Sequence, residues 1–216
     1  KMQQKGNVSM RKIILFIAMS LDGYIADADG RVDWLTEQEN EAEDSRSDIR
    51  DNEHFSELGD SQSDTEEDTD PYEKFIKNVD TIIMGFKTYH QVATDLSPGQ
   101  WPYTEQKTYV ITHRTDLLKK GDSSVEFTGE NPYDLVNRLK HKSGKNIWIC
   151  GGANVIQQLI EKDCIDEYYI SVIPIILGDG IRLFEKNTTR IPLKLVRTGN
   201  YNGIAELIYV RRHDSL

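Results

Sequence analysis

Three short runs in this chain carry residue types suited to holding a phosphorylated ligand. Gly85-Phe86-Lys87-Thr88 follows the apolar run Thr81–Met84. Thr112-His113-Arg114 closes the run Thr108–Thr112. Gly151-Gly152-Ala153-Asn154 follows Asn146–Cys150. Two of the three open helical patterns. A helix start presents backbone N–H groups without intrahelical partners and roughly half a positive charge. Glycine there lets a ligand approach the backbone, because no Cβ stands in the way. Lys87, His113 and Arg114 add side-chain charge. Glycine after a strand is also ordinary turn chemistry, so the functional reading depends on the three runs sharing one rim. If they do, they suit a polyphosphate with an extra anionic group.

Other chemistries find no support in the letters. The segment Gly151–Ile156 lacks the GxGxxG spacing, and no GxxxxGK[ST], HExxH or GxSxG occurs. His54, His90, His113, His141 and His213 are scattered and give no metal pattern, so no metal is expected. Cys150 and Cys164 form neither a CxxC nor a disulfide framework. Cys150 reads as a buried structural thiol, and the cysteine usage points to a reduced, cytoplasmic setting.

The elements that must position these runs follow from hydrophobic period. Arg11–Ser20 is continuous, aliphatic and of strand length, and Leu21–Ala26 reads as a turn-rich link. Strands are expected over 81–84, 108–112, 125–127, 146–150 and 167–173, with helices over 71–78, 86–94, 132–141 and 153–160. Asn202-Gly203 between Leu193–Tyr201 and Ile204–Arg211 signals a two-residue hairpin. Strand and helix alternate and a hairpin closes the chain. That order predicts an α/β fold, a mostly parallel central sheet with helices on both faces and an antiparallel edge. Ligands in such sheets sit at the carboxyl ends of the strands.

The 216 residues, 38% of hydrophobic type, are enough for one core. Residues 1–9 read as an extension or tag, and 10–216 as a single domain. The net charge of −10 argues against a nucleic-acid partner. It is concentrated: residues 37–73 hold 16 of the 36 acidic side chains and only Arg46 and Arg50 as bases. The remainder is mildly basic, which suits an anionic small molecule. The stretch at about 37–70 is expected to be a solvated acidic insert; a partner-binding role for it is the alternative. No run is long and apolar enough to span a membrane.

Beside these readings stands a resemblance. Phe16–Ala26 (FIAMSLDGYIA) with Trp34 further on is similar to the opening of the dihydrofolate reductase superfamily. Val79–Tyr89 (VDTIIMGFKTY), Ile147–Val155 (IWICGGANV) and Asp166–Pro174 (DEYYISVIP), the last running on through Leu177-Gly178-Asp179-Gly180 to Leu183-Phe184, resemble later motifs in the same order. The likeness is greatest to the branch of the bacterial riboflavin-biosynthesis reductase domain and stand-alone dihydrofolate reductase-like proteins.

That resemblance implies a three-layer dihydrofolate reductase-like fold, NADPH as cofactor, and a homodimer. Ala18 and Ile25 would lie beside the nicotinamide, and Gly85, Phe86, Lys87 and Thr88 on the pyrophosphate side. Thr112, His113 and Arg114 would flank the adenosine phosphate. Gly151 and Gly152 would carry a cis peptide, with Ala153, Asn154 and Val155 against the cofactor. Phe86 stands where the family usually has Arg, which leaves Arg114 and Lys87 to supply positive charge. Ser20, Trp34 and Ser171 are the substrate candidates, and Asp22, Trp34 and Glu39 the catalytic ones, with Glu37 and Asp33 nearby. Ile156 replaces the Tyr typical of folate reductases, and the zinc motif of the riboflavin-pathway deaminase is lacking. The implied activity is hydride transfer from NADPH to a small heterocycle (a pterin or ribosylaminopyrimidine) or a carbonyl compound. The alternative is an NADP(H)-binding module or sensor without chemistry.

Overall fold

The structure, a computed structural model, describes residues 10–35, 71–114, 116–118, 124–186, 190–201 and 203–212. The extension at 1–9, the acidic insert, Glu37 and Glu39 lie outside the described residues.

Among the described residues eight strands form one sheet: β1 (Ile13–Ser20), β3 (Val79–Gly85), β4 (Lys107–Ile111), β5 (Val125–Thr128), β6 (Asn146–Gly151), β7 (Glu167–Ile173), β9 (Leu193–Tyr201) and β10 (Ile204–Arg211). Their spatial order is β5-β4-β3-β6-β1-β7-β10-β9. The run from β5 to β7 is parallel, and β10 is antiparallel to both its neighbours. The expected parallel sheet with a closing antiparallel hairpin is therefore present.

Side-chain alternation divides the core into two layers. Ile13 and Leu15 of β1 belong to one cluster, where they meet helices α3 (Pro132–Lys140) and α4 (Ala153–Glu161). Ile14 and Phe16 face the opposite side with α1 (Pro71–Ile76) and α2 (Phe86–Gln91). On that side Phe75 of α1 stacks on Phe16 with ring centroids 4.4 Å apart and meets Trp148 edge-on. Helices thus cover both faces, giving three layers. The α4 stripe of Val155, Ile156, Leu159 and Ile160 is buried at helical spacing. Truncating the fully buried Leu159 to Ala would cost about 2–5 kcal/mol.

Two elements differ from the sequence expectation. The helix expected over 86–94 is α-helical only to Gln91 and continues as a π-helical turn over Val92–Leu96. There the Thr94 hydroxyl donates to the His90 carbonyl at 2.8 Å, competing for an acceptor of the helical ladder. The link Leu21–Ala26 contains a short strand, β2 (Tyr24–Ala26), which pairs antiparallel with β8 (Ile181–Arg182). Three residues give no periodicity to read, and the partner is distant in sequence. Gly180 is required at this junction: its φ is +150°, and a Cβ would lie 2.2 Å from the Ala26 carbonyl oxygen.

Candidate functional site: a glycine cradle at the carboxyl rim

Because β4, β3 and β6 are consecutive in the sheet, their carboxyl ends are neighbours. Gly85 is in register with Ile111, and Met84 with Gly151. The three runs singled out above therefore lie along one rim. Side chains cross between them. The Thr88 hydroxyl of α2 faces the double glycine: a Cβ on Gly152 would lie 3.1 Å from its Oγ1 and one on Gly151 3.5 Å. A Cβ on Gly85 would meet Gly152 N at 3.8 Å and Val155 Cγ2 at 3.5 Å. The Arg114 guanidinium lies over the Phe86 ring, 5.1 Å from its centroid. The Gly151–Gly152 peptide is cis.

The electrostatics of this rim suit an anion. Gly85 is the N-cap of α2 and Gly152 that of α4, and neither helix start has a side-chain cap or an acidic residue in its first turn. The N–H groups there are left for a ligand or water. Lys87 and His113 are exposed, and Lys87 makes no ion pair among the described residues. Thr112 is buried, and its Oγ1 accepts the Arg114 backbone N–H at 3.1 Å. That bond sets the direction in which the chain leaves β4. Ala153 and Asn154 open α4, with Asn154 exposed.

The other candidates fall into separate surroundings. Ser20 is fully buried; its hydroxyl donates to Asp22 Oδ1 at 2.6 Å and accepts the Tyr24 N–H at 2.9 Å. Asp22 also accepts from the N–H groups of Leu177 at 3.2 Å and Gly178 at 2.8 Å. The Ser20 hydroxyl foremost holds its carboxyl below the ordinary value; burial opposes it, and the Gly178 and Leu177 donors add to the lowering. Asp22 thus fastens the loop after β1 to the loop after β7. Asp33 lies just ahead of Trp34, with its own interactions. Trp34 is 4% exposed, and its Nε1 has no hydrogen-bond partner among the described residues. Ile25 is part of β2. Ala18 is in register with Ser171, so the two share one face of the sheet.

Ser171 also lines a cavity of about 330 Å³ with Phe16, Tyr169, Arg197 and Glu206. Arg197 and Glu206 escaped the reading of the sequence. They belong to the terminal hairpin, where nothing local distinguishes them from other strand charges. The antiparallel pairing of β10 with β7 brings them there, with Glu206 opposite Ser171. Cys150 and Cys164 carry no reactive signature, since burial pushes their thiols up to about 12 and about 11.

Comparison with known proteins adds ancestry to this geometry. The family described as the RibD C-terminal domain matches residues 11–203. The chain belongs to the RibD C-terminal domain family. It is 37% identical over 201 residues to the uncharacterized protein YwjB of Bacillus subtilis (strain 168), covering 93% of this chain and 98% of that one. A second such protein, YyaP of the same organism, is 29% identical, with 94% of this chain and 96% of that one covered. Among solved structures, a putative riboflavin biosynthesis protein from Shewanella sp. PV-4 superposes with a TM-score of 0.70 at 24% identity, over 94% of this chain and 99% of that one. Dihydrofolate reductase from Enterococcus faecalis, solved with NADP(H), gives 0.58 at 16%, covering 94% and 97%. These likenesses establish the dihydrofolate reductase-like fold of this family member. Glycine at 85, 151 and 152 leaves this backbone open to a phosphorylated ligand, and a Cβ at 152 would crowd the Thr88 hydroxyl.

Proposed function

We propose that this chain is an NADPH-dependent reductase that passes hydride to a small heterocycle, a pterin or a ribosylaminopyrimidine, or to a small carbonyl compound. The observation that carries the reading is the shared rim: two uncapped glycine helix starts and the Lys87, His113 and Arg114 charges at the ends of adjacent strands. Two fold neighbours support it: the dihydrofolate reductase solved with NADP(H), and a deaminase/5-amino-6-(5-phosphoribosylamino)uracil reductase from Thermotoga maritima. This chain spans 57% of the latter's length, so the deaminase chemistry is not carried over.

In this reading Gly85, Thr88, Gly151, Gly152, Ala153, Asn154 and Val155 hold the pyrophosphate side, while Thr112, His113 and Arg114 take the adenosine phosphate. Ala18 and Ile25 flank the reduced nicotinamide, which supplies the hydride when bound. The protein's own part is to orient the acceptor and exclude water. Ser171, on the face it shares with Ala18, orients substrate beside the cavity. The Trp34 indole N–H is a buried donor for a substrate or water oxygen; left unmade, such a bond costs about 1–3 kcal/mol. Asp22 clamps the nicotinamide-side loop as a carboxylate. Leu195 and Val196, exposed on the edge strand β9, support a homodimer.

The test is a calorimetric titration with NADPH, followed by a turnover assay reading loss of NADPH absorbance with dihydrofolate, ribosylaminopyrimidines and small carbonyl compounds. Stoichiometric binding with turnover on one of them is expected. Tight binding without turnover on any would favour a binding module, and no binding of a reduced dinucleotide would sink the reading.

A further inference from the structure

Among the described residues the Arg114 side chain has two neighbours at the rim, and they act on it differently. Below it lies the Phe86 ring, a flat apolar face that attracts a guanidinium without adding charge. Beside it lies Asp116: Arg114 Nη2 donates to Oδ2 at 3.0 Å and Nε to Oδ1 at 3.5 Å, so the carboxylate lies along the Nε–Nη2 edge of the guanidinium. The backbone builds this arrangement. Thr112 Oγ1 accepts the Arg114 N–H, and the Leu117 N–H donates to the Arg114 carbonyl at 3.1 Å, closing a turn that sets side chains 114 and 116 together.

We propose that Asp116 sets the dinucleotide preference of this site: it occupies Arg114 on the Phe86 platform and so weakens selection for a ribose 2′-phosphate. The inference rests on the reading of the rim as a dinucleotide site. A 2′-phosphate brings close to two negative charges to Arg114 at neutral pH, and Asp116 opposes it there as a like charge. A dinucleotide without that phosphate meets no such repulsion. Its ribose hydroxyl can instead donate to the Asp116 carboxylate, as acidic residues do in other NAD sites. Phe86, directly under the guanidinium, adds no cation of its own to offset the carboxylate. Both Arg114 and Asp116 side chains are more than half exposed. Their pairing is therefore worth little in stability, and a ligand can displace it.

Binding calorimetry on the full chain tests this with NADPH, NADH and the fragment adenosine 2′,5′-bisphosphate, so no turnover is needed. Asp116→Asn should tighten NADPH and the bisphosphate by about three- to tenfold and leave NADH unchanged or weaker. Arg114→Ala should weaken NADPH about tenfold and NADH by less than about twofold. Phe86→Arg should tighten NADPH further, by about tenfold. Thermal melts check that the variants are folded: Arg114 and Asp116 are exposed, whereas Phe86 is half-buried beside Tyr89 and His90. If Asp116→Asn moves NADPH and NADH in equal proportion, or moves neither, Asp116 has no part in preference while the dinucleotide reading stands. If neither dinucleotide binds the unsubstituted protein, both readings fall together.

Discussion

Helices α3 and α4 begin at the same rim, cover the same face of the sheet and have nine residues each. Their first turns differ in kind. At α3 the Asn131 side chain accepts the Tyr133 N–H at 2.9 Å, Pro132 occupies the first turn and Asp134 faces the dipole. Glu130, just ahead, is held to Arg138 by a two-toothed ion pair at 2.7 and 3.2 Å. That guanidinium keeps its carboxyl below the ordinary range. At α4 the cap is Gly152, without a side-chain bond or an acid. One start is capped by its own side chain, and the other has no side-chain cap. Position on the carboxyl rim therefore does not fix the chemistry of a helix start; the residues at the cap decide it.

Substitutions can break or sharpen this contrast. The largest effect belongs to Gly152→Val, which puts a branched side chain against Thr88 Oγ1 in the cradle. NADPH affinity should fall by about a hundredfold and stability by about 1–3 kcal/mol; unchanged affinity by calorimetry would remove the double glycine from the site. Asn131→Ala should do the reverse, costing about 1 kcal/mol in denaturant unfolding with NADPH affinity unchanged. A loss of NADPH binding there would erase the distinction between the two starts.

Asn154→Asp gives α4 the acid that α3 already has. It should stabilise the helix by about 0.3–1 kcal/mol while weakening NADPH about three- to fivefold, so that melting temperature and affinity move in opposite directions. If both rise, the α4 start does not receive an anion.

The smallest effect concerns the neighbouring clamp. Because the folded Asp22 carboxyl titrates below its ordinary value, its stabilisation is complete above that value and is lost as pH falls through the folded one. Asp22→Asn should lower the melting temperature at neutral pH and flatten its decline on acidification below about pH 4. A variant whose acid dependence matches the parent's would show that the loop is held some other way.

Much of this was legible in the letters because the signals are local. Leu135, Val136 and Leu139 at helical spacing mark α3, and Asn202-Gly203 marks the hairpin turn; the strands Leu193–Tyr201 and Ile204–Arg211 were read with the bounds the structure has. The glycine runs were visible for the same reason. The pairing of β2 with β8 was not, since three residues carry no period and their partner is set by a distant loop. Nor was the shift to a π-helical turn after Gln91, since the apolar pattern does not separate one helical pitch from the other over so short a stretch.

Residue types and spacing by themselves determined the alternation of strand and helix, the apolar faces and the composition of the three glycine and cation runs, because period and turn chemistry act over a few residues. Only the tertiary structure decided that β4, β3 and β6 are neighbours, that Thr88 faces the double glycine, that Asp22 is occupied by the loop at Leu177 and Gly178, and that Asp116 holds Arg114 against Phe86. Strand order and side-chain partnership are set by burial of the whole sheet, a quantity no window of sequence contains.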